Sequence, residues 1–251
     1  MREGDIINGL AKGLAVIEAF DEEHARLSIT DVAGITGLER ATARRCLLTL
    51  THLGYARYDG KFFSLTPRVL RLGHSYLAAT PLPRLVQPFL EGLTAATGES
   101  SSVSVLDGTE ILYVARASLK RVMSVNLGPG SRLPAYCSSM GRVLLAALPV
   151  NEARALLGRS ELLPLTPKTK AKASDVLDEL DRVRGQGYAV IDEELEIGLR
   201  SIAVPLENAQ GVTVAALNVG AQAGRIGVAE MIAQYLPQMR TVRDELRALL
   251  H

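Results

Sequence analysis

A chain of 251 residues with 47% hydrophobic content is long enough for two compact domains or one large one. Its 28 basic and 27 acidic side chains nearly cancel, which excludes a global polybasic nucleic-acid coat and makes any DNA-binding surface a local one. The first twenty residues lack the apolar core and cleavage site of a signal peptide, and no run approaches the roughly 18 apolar residues that span a bilayer. A soluble, cytoplasmic protein with no membrane partner is therefore expected. Cys46 and Cys137 lie far apart without a CxxC partner, so neither a disulfide framework nor a metal site is expected, and nothing calls for a cofactor.

In chain order, Leu10, Leu14, Ile17 and Phe20 recur at helical spacing within 9–21, an apolar stripe that predicts a first helix. Ser28-Ile29-Thr30-Asp31 has capping-box character with Asp in the usual Glu place, and Gly37 supplies a left-handed stop, which predicts a second helix of barely two turns. A third helix is expected over 39–54, with Ala43, Leu47, Leu50 and Leu53 on its apolar face. Two helices joined by a tight Gly-containing turn outline a helix-turn-helix. Asp59-Gly60 between two β-prone runs then predicts a two-residue type I′ hairpin, the wing. A further helix is expected from Thr66 to about Ala79, before Pro81 and Pro83 break the chain.

These signals divide the chain into a DNA-binding domain (1–66), a linker helix (67–80) and a larger domain (81–251). In the last, helices are expected at 85–97, 140–148, 151–157, 174–185 and 227–250. Strands are expected at 101–108, 110–118, 122–128, 187–191, 200–206 and 212–219. Such mixing implies an α+β domain around an antiparallel sheet.

Within 39–61 five basic side chains (Arg40, Arg44, Arg45, Arg57, Lys61) face two acidic ones, Glu39 and Asp59, although the whole chain is nearly neutral. Arg40, Ala41, Thr42, Arg44 and Arg45 open the third helix, the end of a recognition helix that reaches base edges, where Arg bonds guanine O6 and N7. Thr42 suits a phosphate or base and Ala41 a thymine methyl. Arg57 and Lys61 on the wing suit phosphates or the minor groove. An Arg-rich face on its own is more often solvated surface, but the ordered set of short helix, Gly turn, basic helix and hairpin favours a reader of operator DNA.

Four blocks, GLAKGLAVIEAF (9–20), SITDVAGITGLERATARRCLLTLTHLGY (28–55), PAYCSSMGRVLLA (134–146) and DEELEIGLRSIAVPL (192–206), resemble the isocitrate lyase regulator (IclR) family of bacterial transcription factors over essentially the whole chain. The third block is similar to the branch that controls protocatechuate, 4-hydroxybenzoate and β-ketoadipate catabolism. The resemblance implies a winged helix-turn-helix, a linker helix that aids dimerisation, a GAF/PAS-like effector-binding domain, and assembly with itself as a homodimer or dimer of dimers. It also implies an effector pocket built from Ser138, Ser139, Met140, Leu199, Ser201 and Asn218. Small-keto-acid members carry smaller residues at 139 and 140, so glyoxylate and pyruvate are not expected as ligands.

Apart from that likeness, Ser138 or Ser139 would cap the helix over 140–148, whose free N–H groups and positive dipole end suit a small carboxylate effector. Arg142 and Arg200 could add charge-assisted bonds, and Tyr136 with Met140 an apolar wall for a ring. For Arg200 an ion pair with the acidic run 192–196 is an equally open reading, and for Tyr136 a core role is the favoured one. Enzymatic readings would use Cys137 or Ser138 as nucleophile, or the carboxylates 192–196. The histidines are His24, His52, His74 and His251, so no His between residues 81 and 250 can serve as base, and catalysis is not expected.

Overall fold

A computed structural model describes residues 5–21, 23–118 and 127–250, apart from the side chains of Leu77 and Ala78. The chain divides into two compact units, Met1–Ala79 and Thr80–His251.

The first unit contains α1 (Asn8–Glu18), α2 (Ile29–Thr36), α3 (Arg40–His52), β1 (Ala56–Tyr58), β2 (Phe63–Leu65), a 3-10 turn (Pro67–Val69) and α4 (Leu70–Ala79). The capping box forms as expected: Asp31 N–H donates to Ser28 Oγ at 3.3 Å, and Ser28 N–H donates to Asp31 Oδ2 at 2.8 Å. Gly37 ends α2 at φ +69°, a left-handed conformation that only glycine adopts without strain. Val16, Val32, Ala43, Leu47, Leu50 and Phe63 close the core of this unit.

Two details differ from the sequence expectation. Leu10 and Leu14 are 62% and 45% exposed, because α1 presents Gly9, Lys12, Gly13 and Val16 on the face that meets α3. Leu10 and Leu14 directly follow Gly9 and Gly13 and so point about 100° away from that face. The wing exists, but Tyr58 pairs with Phe63, so its connection is the four residues 59–62 rather than a two-residue type I′ turn. The reason is the Asp59 carboxylate, which accepts from Lys61 N–H (3.0 Å) and Phe62 N–H (2.8 Å) and so builds its own turn.

The second unit contains α5 (Leu82–Thr97), β3 (Ser100–Asp107), β4 (Glu110–Ala117), β5 (Arg132–Pro134), α6 (Ser139–Ala147), α7 (Val150–Arg159), α8 (Ala173–Gln186), β6 (Ala189–Asp192), β7 (Leu199–Glu207), β8 (Thr213–Gln222) and α9 (Val228–Arg247). Its strands form an antiparallel sheet in the order β5-β4-β3-β8-β7-β6. The fold is thus α+β, as expected. The strand expected at 122–128 lies outside the described residues except for Leu127 and Gly128, which are not in a strand, and β5 takes the edge beside β4.

Strict alternation sends Val103, Ile202, Leu217 and Val219 to one face, where α5 and α9 cover them. On the other face Ala203 and Ala216 pack under α6 and α8. One break in the alternation matters. A bulge leaves Val114 of β4 without a partner, since Tyr113 pairs with Ser104 and Ala115 with Val103. Tyr113 and Arg116, three residues apart, thereby share the α6 side of the sheet.

Helix α6 sits tight against the chain that leads into it. A Cβ at Gly141 would stand 2.2 Å from the Ala135 carbonyl oxygen and 2.4 Å from its Cα. Gly141→Ala therefore lowers stability by about 1–3 kcal/mol or more in urea unfolding, whereas an unchanged midpoint would mean that α6 is free to shift.

Candidate functional site

The N-terminal unit presents its basic residues on one exposed arc of α3. Ala43, Leu47 and Leu50 are buried on one side, while Arg40, Ala41, Arg44 and Arg45 are exposed on the other and Thr42 is half-buried between. None of Arg40, Arg44 and Arg45 has a carboxylate within ion-pair distance among the described residues, so their charge is available to an outside anion. On the wing Arg57 is exposed, its Nε donating to Ser64 Oγ at 2.9 Å, and Lys61 lies 5.0 Å from the Phe62 ring centroid. Phe62 also carries Arg26, which pairs with Asp59 at the wing turn. The turn is held by backbone donors: the Phe62 and Lys61 N–H groups lower the Asp59 carboxyl to about 2.

The C-terminal unit holds a cavity of about 760 Å³ between α6 and the sheet, within the range of small-molecule sites. Of the expected effector residues, Ser138, Ser139, Met140, Leu199, Ser201 and Asn218 line it. Ser138 is the N-cap of α6, its Oγ accepting from Gly141 N–H at 3.2 Å. The first N–H groups of the helix have no intrahelical acceptor and stand at the cavity wall. Ser201 donates to Ser139 Oγ at 2.9 Å, which ties β7 to the start of α6. Asn218 is 8% exposed, and its buried Oδ1 has no hydrogen-bond partner among the described residues. A Cβ at Gly220, two residues along the same face, would meet nothing within 4 Å, so the lining is open there.

Two expected residues are elsewhere. Tyr136 is 1% exposed in the core under α6, and its hydroxyl donates to the Leu163 carbonyl at 2.6 Å, so it offers no wall to a ligand. Arg200 alternates away from the cavity. Its guanidinium binds Asp192 (Nε–Oδ1 2.7 Å) and the Ala223 and Ile226 carbonyls, which settles the open choice in favour of the ion pair. Arg142 is likewise engaged: fully buried, it makes a bidentate pair with Glu194 at 2.8 and 2.6 Å, and its Nε donates to the Tyr136 carbonyl at 3.0 Å. Glu194 also accepts from Lys170 N–H at 3.1 Å.

The residue that sequence reasoning missed is Arg116. Period-two alternation from Tyr113 points it to the α5/α9 face, and the bulge at Val114 reverses that. A lone cation inside the apolar run EILYVARA was the available signal. Arg116 lines the cavity half-buried, with Nη1 3.5 Å from Ser102 Oγ, and no carboxylate lies within ion-pair distance of it among the described residues. Burial lowers its pKa, opposed by Tyr113, yet a guanidinium keeps its charge under such pressure. Tyr113 itself is pushed up to about 12 by burial and stays a neutral phenol. Burial also raises the Cys137 thiol to about 11, which leaves it protonated near neutral pH and unsuited to nucleophilic attack. Among the described residues no cluster of His, Cys, Asp and Glu could hold a metal ion, and no helix is long and apolar enough to cross a membrane.

A basic α3 with a hairpin behind it, joined in one chain to a domain with a polar-lined cavity, matches two family models. The IclR helix-turn-helix domain matches residues 9–60 and the bacterial transcriptional regulator IclR C-terminal domain matches residues 74–247. The chain belongs to the IclR family. It is 46% identical over 96% of its length to the Pca regulon regulatory protein of Pseudomonas putida, covering 84% of that protein. It is 43% identical over its full length to the p-hydroxybenzoate hydroxylase transcriptional activator of Acinetobacter baylyi, covering 94% of it. The solved inducer-binding domain of an Acinetobacter PobR transcription factor double mutant, in complex with 3-hydroxybenzoic acid, matches 67% of the chain and 98% of that domain, at TM-score 0.64 and 40% identity. As an IclR regulator the protein is a DNA-binding transcription factor with an effector domain, not an enzyme.

The Arg142–Glu194 pair is structural in this geometry. Arg142→Ala leaves Glu194 buried and uncompensated, and is expected to cost about 3–5 kcal/mol in urea unfolding. A loss below about 1 kcal/mol would show that the pair does not hold α6 to the 192–198 segment.

Proposed function

We propose that this IclR regulator controls genes of hydroxylated aromatic acid catabolism, and that its cavity is the effector site for a small carboxylate of that pathway. The observation that carries the reading is the cavity itself: buried hydroxyls, Asn218 and a cation that has no carboxylate partner among the described residues surround an apolar space. The names of its relatives support the pathway. They regulate the Pca regulon and p-hydroxybenzoate hydroxylase, and a 40% identical inducer-binding domain was solved with 3-hydroxybenzoic acid. On this reading Arg40, Ala41, Thr42, Arg44 and Arg45 meet operator bases and phosphates, with Arg57 and Lys61 on the flanking backbone. The protein acts as a dimer, and effector binding shifts the separation of its two recognition helices.

Thermal melting of the full chain tests the sensor. Hydroxybenzoates, protocatechuate or β-ketoadipate at a hundred times Kd stabilise by about 2.7 kcal/mol. No rise with any of them would remove the effector reading. For the reader, Arg44→Ala with Arg45→Ala abolishes operator binding in gel shifts without changing the melting temperature, and unchanged affinity would displace α3 from the groove.

A further inference from the structure

If the cavity is the effector site proposed above, two features compete for the effector carboxylate, one on the helix wall and one on the sheet wall. The first is the N-terminus of α6, whose free N–H groups and positive dipole end amount to about half an elementary charge. Ser138 Oγ already answers one of its donors, the Gly141 N–H at 3.2 Å. The second is the stretch of β4 that carries Tyr113 and Arg116. Arg116 holds a whole charge, and no carboxylate of the described residues, Glu196 of the lining included, lies within ion-pair distance of it.

The bulge at Val114 brings these two side chains together. Tyr113 pairs with Ser104 and Arg116 with Ser102, so with Val114 left unpaired they become successive residues on the α6 face, about 7 Å apart along the strand. Each lacks a partner that a ligand can supply. Arg116 is half-buried with only Ser102 Oγ near it, Nη1 at 3.5 Å, whereas the other guanidinium of the lining, Arg225, is held by Glu99 at 3.0 Å. Tyr113 is 4% exposed, and its hydroxyl makes no hydrogen bond among the described residues. That hydroxyl is not one of the two sealed polar atoms without a partner, Asn218 Oδ1 and Arg184 Nη2, so it opens onto the cavity that Tyr113 lines. Burial keeps it a neutral phenol with a proton to donate.

We propose that Tyr113 and Arg116 form a clamp for the effector carboxylate, the guanidinium fork bonding both oxygens and the phenol donating to one of them, so that the carboxylate lies on the sheet wall and not on the N-terminus of α6. Charge decides between the two walls. At equal distance and dielectric, a whole charge attracts an anion about twice as strongly as the half charge of a helix end. Geometry adds to it, since the planar fork matches two carboxylate oxygens, whereas the α6 donors are shared with Ser138. Tyr113 and Arg116 are thereby specificity-determining residues: they separate an acid from its amide, whatever the rest of the effector is.

Calorimetric titration of the full chain with 3-hydroxybenzoate, 4-hydroxybenzoate, protocatechuate and β-ketoadipate, and with the amides of the three aromatic acids, tests this. Arg116→Gln weakens every acid that the wild type binds by about tenfold or more, while melting temperature and operator binding without effector stay unchanged. Arg116→Lys restores part of the loss, and Arg116→Met serves if the glutamine variant does not fold. Tyr113→Phe weakens the same acids by about threefold or more, and by less once Arg116 is Gln, because the two donors act as a unit. In both variants the preference for acid over amide shrinks, which a merely collapsed cavity would not produce. Acids that bind Arg116→Gln as tightly as the wild type, or a Tyr113→Phe loss that is equal for acid and amide, would overturn the clamp and leave the effector site standing. If none of the four acids binds the wild type, the effector reading itself falls, and the clamp with it.

Discussion

The effector domain depends on a buried ion pair. Arg142 rises from the first turn of α6, and Glu194 from the segment between β6 and β7. Removing two charges from water is costly, and it is offset here by bidentate geometry, by the Tyr136 carbonyl on Arg142 and by the Lys170 N–H on Glu194. Both walls of the cavity hang on this bond. Ser138, Ser139 and Met140 precede Arg142 on one side, and Leu195, Glu196 and Ile197 follow Glu194 on the other. With its guanidinium neutralised, Arg142 sets the shape of the cavity and does not meet an anion inside it.

That division of labour gives weight to the irregularity in β4. A regular strand would place Arg116 among the aliphatic side chains beneath α5 and α9, where an unpaired guanidinium is untenable. The bulge at Val114 places it instead on the α6 face beside Ser102. One extra residue thus converts a strand of the core into the cationic wall of a cavity. In the N-terminal unit the corresponding devices are the Ser28 capping box and the left-handed Gly37, which set the short turn between α2 and α3 and leave the arginines of α3 outward.

Much of this was legible from residue order alone. Capping residues, helix-stop glycines and apolar periodicity act within a few positions, and they located α2, α3, α6, α8 and α9 to within a residue or three. Ser138, Ser139, Met140, Leu199, Ser201 and Asn218, which line the cavity, came instead from the likeness to the IclR family. What escaped depends on contacts between distant segments. The partner of Arg142 lies fifty-two residues away, so an arginine in the first turn of a capped helix read as a ligand group. Tyr136 and Arg200 failed as pocket residues because one finds the Leu163 carbonyl and the other finds Asp192 across the strand. The facing of Arg116 was hidden because a bulge changes facing without changing composition. The exposed Leu10 and Leu14 show the same limit, since the face of α1 that meets α3 is set by the contact between the two helices.

The most direct test is a crystal structure of the full chain with 4-hydroxybenzoate or 3-hydroxybenzoate bound. The predicted density lies in the cavity between α6 and the sheet, with the Arg142–Glu194 pair intact and the carboxylate directed away from Arg142. Density that places the carboxylate on Arg142 with Glu194 displaced, or that lies outside this cavity, would contradict the assignment of Arg142 to structure and of the cavity to sensing.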